Sequence, residues 1–253
     1  MIKVVLLGAG NVAQHLIKAF EESPSIELLQ VCARTTNEIE SLLSKTKITK
    51  DIHALVAADV YLIAVSDKAI EEVSNQLSTK NALVVHTSGS VGMDALSSHA
   101  RVGVFYPLQT FSKHLEVDFS TVPICLEAHT NEDLELLKLL AESISQSVHF
   151  INSEQRKALH IAAVFVCNFV NHLYQQGEAI CKENNLDFAL LKPLIQETAR
   201  KILELSPAEA QTGPAKRHDI KTIENHLQFI TDTRQREIYT LMTQSIIDYG
   251  KKL

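Results

Sequence analysis

Ile2-Lys3-Val4-Val5-Leu6-Leu7-Gly8-Ala9-Gly10-Asn11-Val12-Ala13 decides the fold of this chain. An apolar, β-branched run of strand length meets a Gly-x-Gly-x-x-Ala turn, and a helix-period pattern opens at once and reaches about Phe20. That order predicts a dinucleotide turn. Gly8 makes the tight turn, Gly10 lets backbone approach a pyrophosphate, and Ala13 allows close helix–strand packing. The helix N-terminus, at Asn11 and Val12, then turns free N–H groups and a positive dipole end toward phosphates. Read alone, the turn also fits a plain strand-to-helix connection without a ligand.

Outward from the turn, Ser23-Pro24-Ser25 breaks the helix and Ile26 to Ala33 reads as a second strand. NAD proteins usually place an acid after that strand to hold the ribose 2′-hydroxyl. Here Ala33-Arg34-Thr35-Thr36 follows, with no acid before Glu38. A guanidinium and hydroxyls suit a 2′-phosphate, so Arg34 and Thr35 predict NADP. Glu38 to Ser44 reads as a short helix, and Lys45 to His53 as a connection with an edge strand. Further strands are expected at Asp59–Val65, Asn81–His86, Val102–Phe105, Val122–Leu126 and Val148–Ile151. Helices fall at Lys68–Leu77 and, capped by Asn131, through Ile144.

Strands alternating with helices imply a doubly wound, mainly parallel α/β sheet, which binds ligands beyond the carboxyl ends of its strands. Three loops lie there. Val65-Ser66-Asp67 passes the cofactor, so Val65 and Ser66 join the cofactor-binding set. His86-Thr87-Ser88-Gly89-Ser90 brings hydroxyls and a flexible backbone, making Ser88, Gly89 and Ser90 candidate substrate contacts. Tyr106-Pro107-Leu108-Gln109-Thr110 follows the next strand. A histidine at a strand end, such as His86, is as readily a packed core residue as a functional one.

From Ser153 only helical patterns follow, which sets the expected domains as residues 1–152 and an all-helical 153–253. Asn152 and Ser153 can cap a helix reaching about Lys182. Pro193 sits inside or at the start of another, Ser206-Pro207 breaks it, and Gln211-Thr212-Gly213-Pro214 makes a turn. Asp219 caps Ile220–Ile230, and Asp232 with Gln235 starts the last helix. Leu159 to Val170 is apolar almost all round, which predicts a buried helix. Ideal helical geometry puts Asn168 about 80° around from His160 and ~12 Å further along, on one polar arc. That arc fits either an interhelical hydrogen-bond network or the wall of a cleft facing the nicotinamide. Lys216, Arg217 and His218 precede a helix N-terminus, so Arg217 is a candidate anion contact or an intersubunit cation.

A length of 253 residues fits one large domain or two, and 45% hydrophobic residues suffice for real cores. A net charge of −6 without a basic run argues against nucleic acid and anionic membranes as partners. The cysteines, Cys32, Cys125, Cys167 and Cys181, lie far apart, read as reduced, and predict no metal site. A strand at the start and no apolar run approaching ~18 residues predict a soluble, cytoplasmic protein.

Together, Gly8-Ala9-Gly10-Asn11-Val12-Ala13, His86-Thr87-Ser88-Gly89-Ser90 and Tyr106-Pro107-Leu108-Gln109 resemble the 6-phosphogluconate dehydrogenase-like superfamily. In the second half His160-x-x-Ala163, Asn168 and Thr212-Gly213-Pro214 with Arg217 and Asp219 carry the same likeness. The superfamily includes pyrroline-5-carboxylate reductase, ketopantoate reductase and deazaflavin-dependent NADP reductases. The likeness is greatest to a bacterial branch labelled NADP oxidoreductases. It implies a Rossmann domain joined to an all-helical C-terminal domain, with dimerisation through the helices. Two positions depart from it. Several hydroxyacid dehydrogenases of the superfamily carry a catalytic lysine on the long helix with an asparagine one turn later. Here Lys157 is followed four residues on by Ile161, and His160 by Val164, so the lysine mechanism does not transfer. The branch also tends to have glycine where this chain has His218.

These readings converge on an NADP-dependent oxidoreductase passing hydride to or from a small polar substrate in an interdomain cleft. His160 is the expected proton donor. Asn168 would contact the cofactor amide or substrate, and Ser88 and Ser90 would supply hydroxyl contacts. A non-catalytic NADP(H)-binding sensor or assembly protein is the first alternative. An adenosylmethionine-dependent methyltransferase is the second, disfavoured because it normally has an acid where Arg34 stands.

Overall fold

The computed structural model describes residues 1–79, 81–113 and 115–250. They divide into two compact units, Met1–Cys167 and Asn168–Leu253.

The first unit is built on an eight-stranded sheet. Its strands are β1 (Ile2–Leu7), β2 (Ile26–Cys32), β3 (Ile48–Thr49), β4 (Val60–Ile63), β5 (Leu83–His86), β6 (Val102–Pro107), β7 (Ile124–Ala128) and β8 (Val148–Phe150), in the order β3-β2-β1-β4-β5-β6-β7-β8. Every pairing is parallel except β6 with β7. β1 pairs with β2 on one side and β4 on the other, so the strand order reverses beside β1. Such a reversal opens a crevice at the carboxyl ends of the two strands.

Strand periodicity explains the two-sided core. Val4 and Leu6 of β1 pack with α1 (Asn11–Glu22), and α3 (Asn131–Glu142) joins the same cluster. Val5 and Leu7 face the opposite cluster, which includes Ile70 of α2 (Ile70–Gln76). α1 buries Ala13, Leu16, Ile17 and Phe20, the spacing of one helical face.

α4 (Ser153–Ala163) starts on a capping box in which Asn152 and Gln155 satisfy each other's backbone N–H. A π-helical stretch, Val164–Phe169, links it to α5 (Val170–Glu183). The unit boundary falls within that stretch. The second unit continues with α6 (Lys192–Glu204), α7 (Pro207–Ala210), α8 (Ile220–Phe229) and α9 (Thr233–Gly250). Asp219 caps α8 by accepting from the Thr222 N–H at 3.1 Å.

Four local expectations are corrected. Residues 38–44 form successive turns rather than a helix. Ile39 and Leu43 anchor them in the core, and the N–H groups of Ile39 and Glu40 share the Thr36 carbonyl while those of Leu42 and Leu43 share the Ile39 carbonyl, which closes separate turns. The cap of α3 is the Thr130 hydroxyl, which accepts from the Asp133 N–H at 3.1 Å, and Asn131 is the first helical residue. The apolar stretch 159–170 is not buried: Ile161 is 59% exposed and Val166 72%. Finally, π-helical hydrogen bonds span five residues instead of four. The uniform helical arc computed from His160 to Asn168 therefore does not apply.

Among the described residues no helix is long and apolar enough to cross a membrane. No group of three or more His, Cys, Asp and Glu side chains there is placed to hold a metal. All four cysteines are free thiols.

Candidate active site

At the strand-order reversal lies a cavity of about 880 Å³. Gly8, Gly10, Asn11 and Val12 after β1, Arg34 and Thr35 after β2, and Val65 and Ser66 after β4 all line it. The turn is built as a cradle. Gly8 adopts φ 132°, and a Cβ there would stand 2.1 Å from the Ala64 carbonyl oxygen, so only glycine fits. A Cβ on Gly10 would meet nothing within 4 Å. Gly10 is the N-cap of α1, yet no side chain caps that end and its first turn holds no acid. An uncapped helix terminus beside an open cavity fits a pyrophosphate. The Arg34 guanidinium on the same wall fits a further phosphate, and among the described residues it has no ion-pair partner.

Beyond β5 the loop of residues 87–92 is fastened from inside. The Ser88 N–H donates to His86 Nδ1 at 3.2 Å, which leaves the proton on Nε2, 3.3 Å from the Gly92 carbonyl. Burial, and secondarily the Arg156 charge, push the His86 pKa down to about 4, so the ring is neutral. Ser88 Oγ accepts from the N–H groups of Ser90 and Val91 at 3.1 and 3.0 Å. Both lone pairs of this oxygen thus shape the loop, and its O–H proton is left for another acceptor. Ser90 Oγ donates to Asp67 Oδ2 at 2.7 Å.

Gly89 lets another element reach this loop. A Cβ there would lie 2.6 Å from His160 Nδ1 and 2.7 Å from Tyr106 Cζ. Tyr106, near the end of β6, places its hydroxyl 3.0 Å from His160 Nδ1 on α4. Burial raises the Tyr106 pKa to about 12, so the phenol stays protonated. One turn before His160 on α4, the fully buried Arg156 pairs with Glu127 of β7. Arg156 Nη2 also donates to the Val91 carbonyl at 2.6 Å and to Ser153 Oγ at 3.3 Å. This ties α4 to both the sheet and the loop.

The first unit therefore assembles the predicted cofactor set in one cavity, and brings Ser88, Gly89 and His160 together at a neighbouring loop. Asn168 and Arg217 belong to the second unit, where both are exposed. The Arg217 N–H closes a turn to the Gly213 carbonyl at 3.3 Å. His218, in the same turn, takes φ 55°, the left-handed region that favours glycine. The sequence placed Asp67 and Tyr106 in strand-end loops without giving either a role, and did not single out Glu127 or Arg156. Tyr106 stood at a strand's carboxyl end, which was the available signal. The Arg156–Glu127 pair, 29 residues apart, left none.

Residues 3–89 match the family described as NADP oxidoreductase coenzyme F420-dependent, and residues 122–246 one described as a domain of unknown function, DUF2520. Comparison with curated proteins finds no match. Among solved structures, the putative NADP oxidoreductase from Bacteroides fragilis is 41% identical over 98% of each chain, with a TM-score of 0.89. Protein TM1727 from Thermotoga maritima is 23% identical, covering 97% of this chain and 99% of its own, with a TM-score of 0.78. Pyrroline carboxylate reductase from Plasmodium falciparum, solved with NADP bound, is 12% identical over 99% and 97% of the chains, with a TM-score of 0.63. The last two likenesses concern the fold.

Proposed function

This chain belongs to the family of the putative NADP oxidoreductase from Bacteroides fragilis, and we propose that it is an NADP-dependent oxidoreductase acting on a C=O or C=N group of a small polar substrate, with His160 handling the proton. The supporting observation is the 3.0 Å contact between Tyr106 Oη and His160 Nδ1, beside Gly89 in the loop next to the nucleotide cavity. NADPH, when bound, supplies the hydride. His160 holds the transferable proton at Nε2, the nitrogen that Tyr106 does not occupy. As imidazolium the ring donates Nδ1–H to the Tyr106 hydroxyl oxygen and presents Nε2–H to the substrate. Giving up that proton leaves the neutral Nδ1–H tautomer, in which Nδ1 still donates to Tyr106 and Nε2 is open to take the next proton. One contact thus orients the ring in both protonation states, as general acid–base work requires. A relay that leaves tyrosinate is disfavoured, because burial holds the phenol protonated.

In this reading residues 1–152 hold the cofactor and residues 153–253 form the helical part. Gly8, Gly10, Asn11, Val12, Val65 and Ser66 face the nucleotide, and Arg34 and Thr35 its 2′-phosphate. Ser88 donates its remaining proton to substrate, and Gly89 and Ser90 shape that contact. The test is NADPH oxidation by the purified protein against small α-keto acids, aldehydes and cyclic imines. NADPH binding without turnover across the panel would overturn catalysis in favour of a cofactor-sensing role.

The same reading includes a homodimer through residues beyond 153. Apolar side chains there stand in solvent, with Val166 72%, Leu203 84% and Leu241 70% exposed. Large apolar side chains left in solvent support burial against a second copy of the chain. A monomer mass at micromolar concentration would overturn it.

A further inference from the structure

Glu38 lines the nucleotide cavity with Arg34, Thr35 and Lys50. A carboxylate in such a place is what NAD proteins use to hold a 2′-hydroxyl, and it would repel a 2′-phosphate. In this chain the carboxylate is occupied. Oε1 pairs with Lys113 Nζ, and Oε2 accepts from Gln14 Nε2 at 2.9 Å. Lys113 comes from the segment after β6, 75 residues away in sequence. That segment is fastened to α1: the Phe111 carbonyl accepts from Asn11 Nδ2 at 2.9 Å, and the Ser112 carbonyl from His15 Nε2 at 3.1 Å. The hydrogen bond from Lys113 keeps the Glu38 carboxyl below its ordinary range, so the group is ionised and its charge is offset by the ammonium. The other acid on the cavity wall, Glu72, comes from α2. The cations on the wall are Arg34 and Lys50.

We propose that two lysines set the cofactor preference of this chain: Lys113, by occupying Glu38, and Lys50, by facing the 2′-phosphate beside Arg34. Discrimination is a difference between two affinities, so masking a repulsive carboxylate counts as much as adding a cation. Without Lys113, Glu38 regains acceptor oxygens for a 2′-hydroxyl and an uncompensated charge against a phosphate. Lys50 attracts the phosphate and has no counterpart charge on a ribose hydroxyl. The proposal rests on the nucleotide reading of the cavity.

Binding rather than turnover tests it, by titrating the full-length protein with NADPH and NADH at low salt, where exposed charges are least screened. Lys113→Met is expected to weaken NADPH about five- to tenfold while NADH binding holds or tightens. Adding Glu38→Gln to Lys113→Met should return NADPH to within about twofold of the original protein, because the offending charge is gone. Lys50→Met should weaken NADPH about three- to tenfold and spare NADH. Equal losses of both cofactors in Lys113→Met, unrepaired by Glu38→Gln, would show that Lys113 only orders its segment, and would overturn the proposal. An unchanged ratio in Lys50→Met would remove Lys50. Failure of the original protein to bind either nucleotide is a separate result, since it would remove the cavity reading itself.

Discussion

Tyr106 Oη and His160 Nδ1 lie 3.0 Å apart, joining two residues 54 positions apart in sequence, on β6 and α4. If this contact orients an acid–base group, removing either partner should harm chemistry more than cofactor binding. His160→Ala is expected to lower turnover by roughly 10²–10⁴-fold with NADPH affinity nearly unchanged. Tyr106→Phe keeps the packing and removes one hydrogen bond, so a loss of about five- to tenfold is expected. Steady-state kinetics with parallel NADPH titrations measure both. A folded His160→Ala protein of full specific activity would leave Ser88 as the next candidate.

Gly89 is the position where that pair meets the loop of residues 87–92. A methyl group there would stand 2.6 Å from His160 Nδ1 and 2.7 Å from Tyr106 Cζ. The tyrosine ring is buried and has little room to move, so Gly89→Ala should cost about 1–3 kcal/mol by overpacking. Activity should fall further than stability, as the pair is forced apart. Urea unfolding and kinetics on one preparation separate the two effects.

The two glycines of the first turn should behave oppositely. Gly8→Ala would drive a Cβ into the Ala64 carbonyl at a positive φ and is expected to prevent stable folding. Gly10 has φ −71° and ψ −178°, which any residue adopts, and open space where a Cβ would go. Gly10→Ala should therefore keep its melting temperature and lose at least about tenfold in NADPH affinity, because the methyl group takes space needed by phosphate. Unchanged NADPH affinity in that variant would argue that the pyrophosphate binds elsewhere.

What was legible in the sequence follows from range. The strand–turn–helix at residues 2–20 is encoded locally: an apolar run, two glycines and a helical stripe suffice to form it at the edge of the cavity. Arg34 was legible for the same reason, since one strand separates it from the turn. His160 stood out as a histidine on an apolar helix. Tyr106, Glu127 and Arg156 did not, because their meaning lies in partners that only the sheet brings together. The π-helical stretch escaped because residues 164–169 carry no side-chain signal for a five-residue hydrogen bond. Glu38 was noted as the first acid after Arg34, but the lysine that occupies it arrives from another loop.

His86 predicts a pH dependence of stability. Burial, then the Arg156 charge, hold its folded pKa at about 4, against an ordinary 6.5 in the unfolded chain. Between those values the unfolded state binds a proton that the folded state refuses. Stability from this group is therefore complete above about pH 6.5 and is lost as pH falls toward about 4. At about pH 5 the loss is about 2 kcal/mol relative to neutral pH. His86→Asn should flatten the urea-midpoint profile across that window, while lowering stability at neutral pH through the altered Ser88 and Gly92 contacts. An unchanged profile would mean that another group titrates there.

Arg156 and Glu127 give the sharpest stability test. Arg156 is fully buried, and its Nε has no hydrogen-bond partner. The rest of its guanidinium is engaged by Glu127, the Val91 carbonyl and Ser153 Oγ. Glu127 in turn accepts from the Ser153 N–H at 2.9 Å and from its hydroxyl. Removing one member of such a pair leaves a charge stranded in low dielectric, at about 3–5 kcal/mol. Glu127 keeps some exposure, 14% of its side chain, so Arg156→Met should fall near the lower end, about 3 kcal/mol. The double variant Arg156→Met/Glu127→Leu removes both charges and refills the space, so it should recover more than half of that loss. Activity should not recover with it, because the Val91 carbonyl loses the donor that ties the Ser88–Val91 loop to α4. Urea unfolding of the two single variants and the double variant closes the cycle. Simple addition of the single losses would place the value of Arg156 in its bonds to Val91 and Ser153 instead of in its charge.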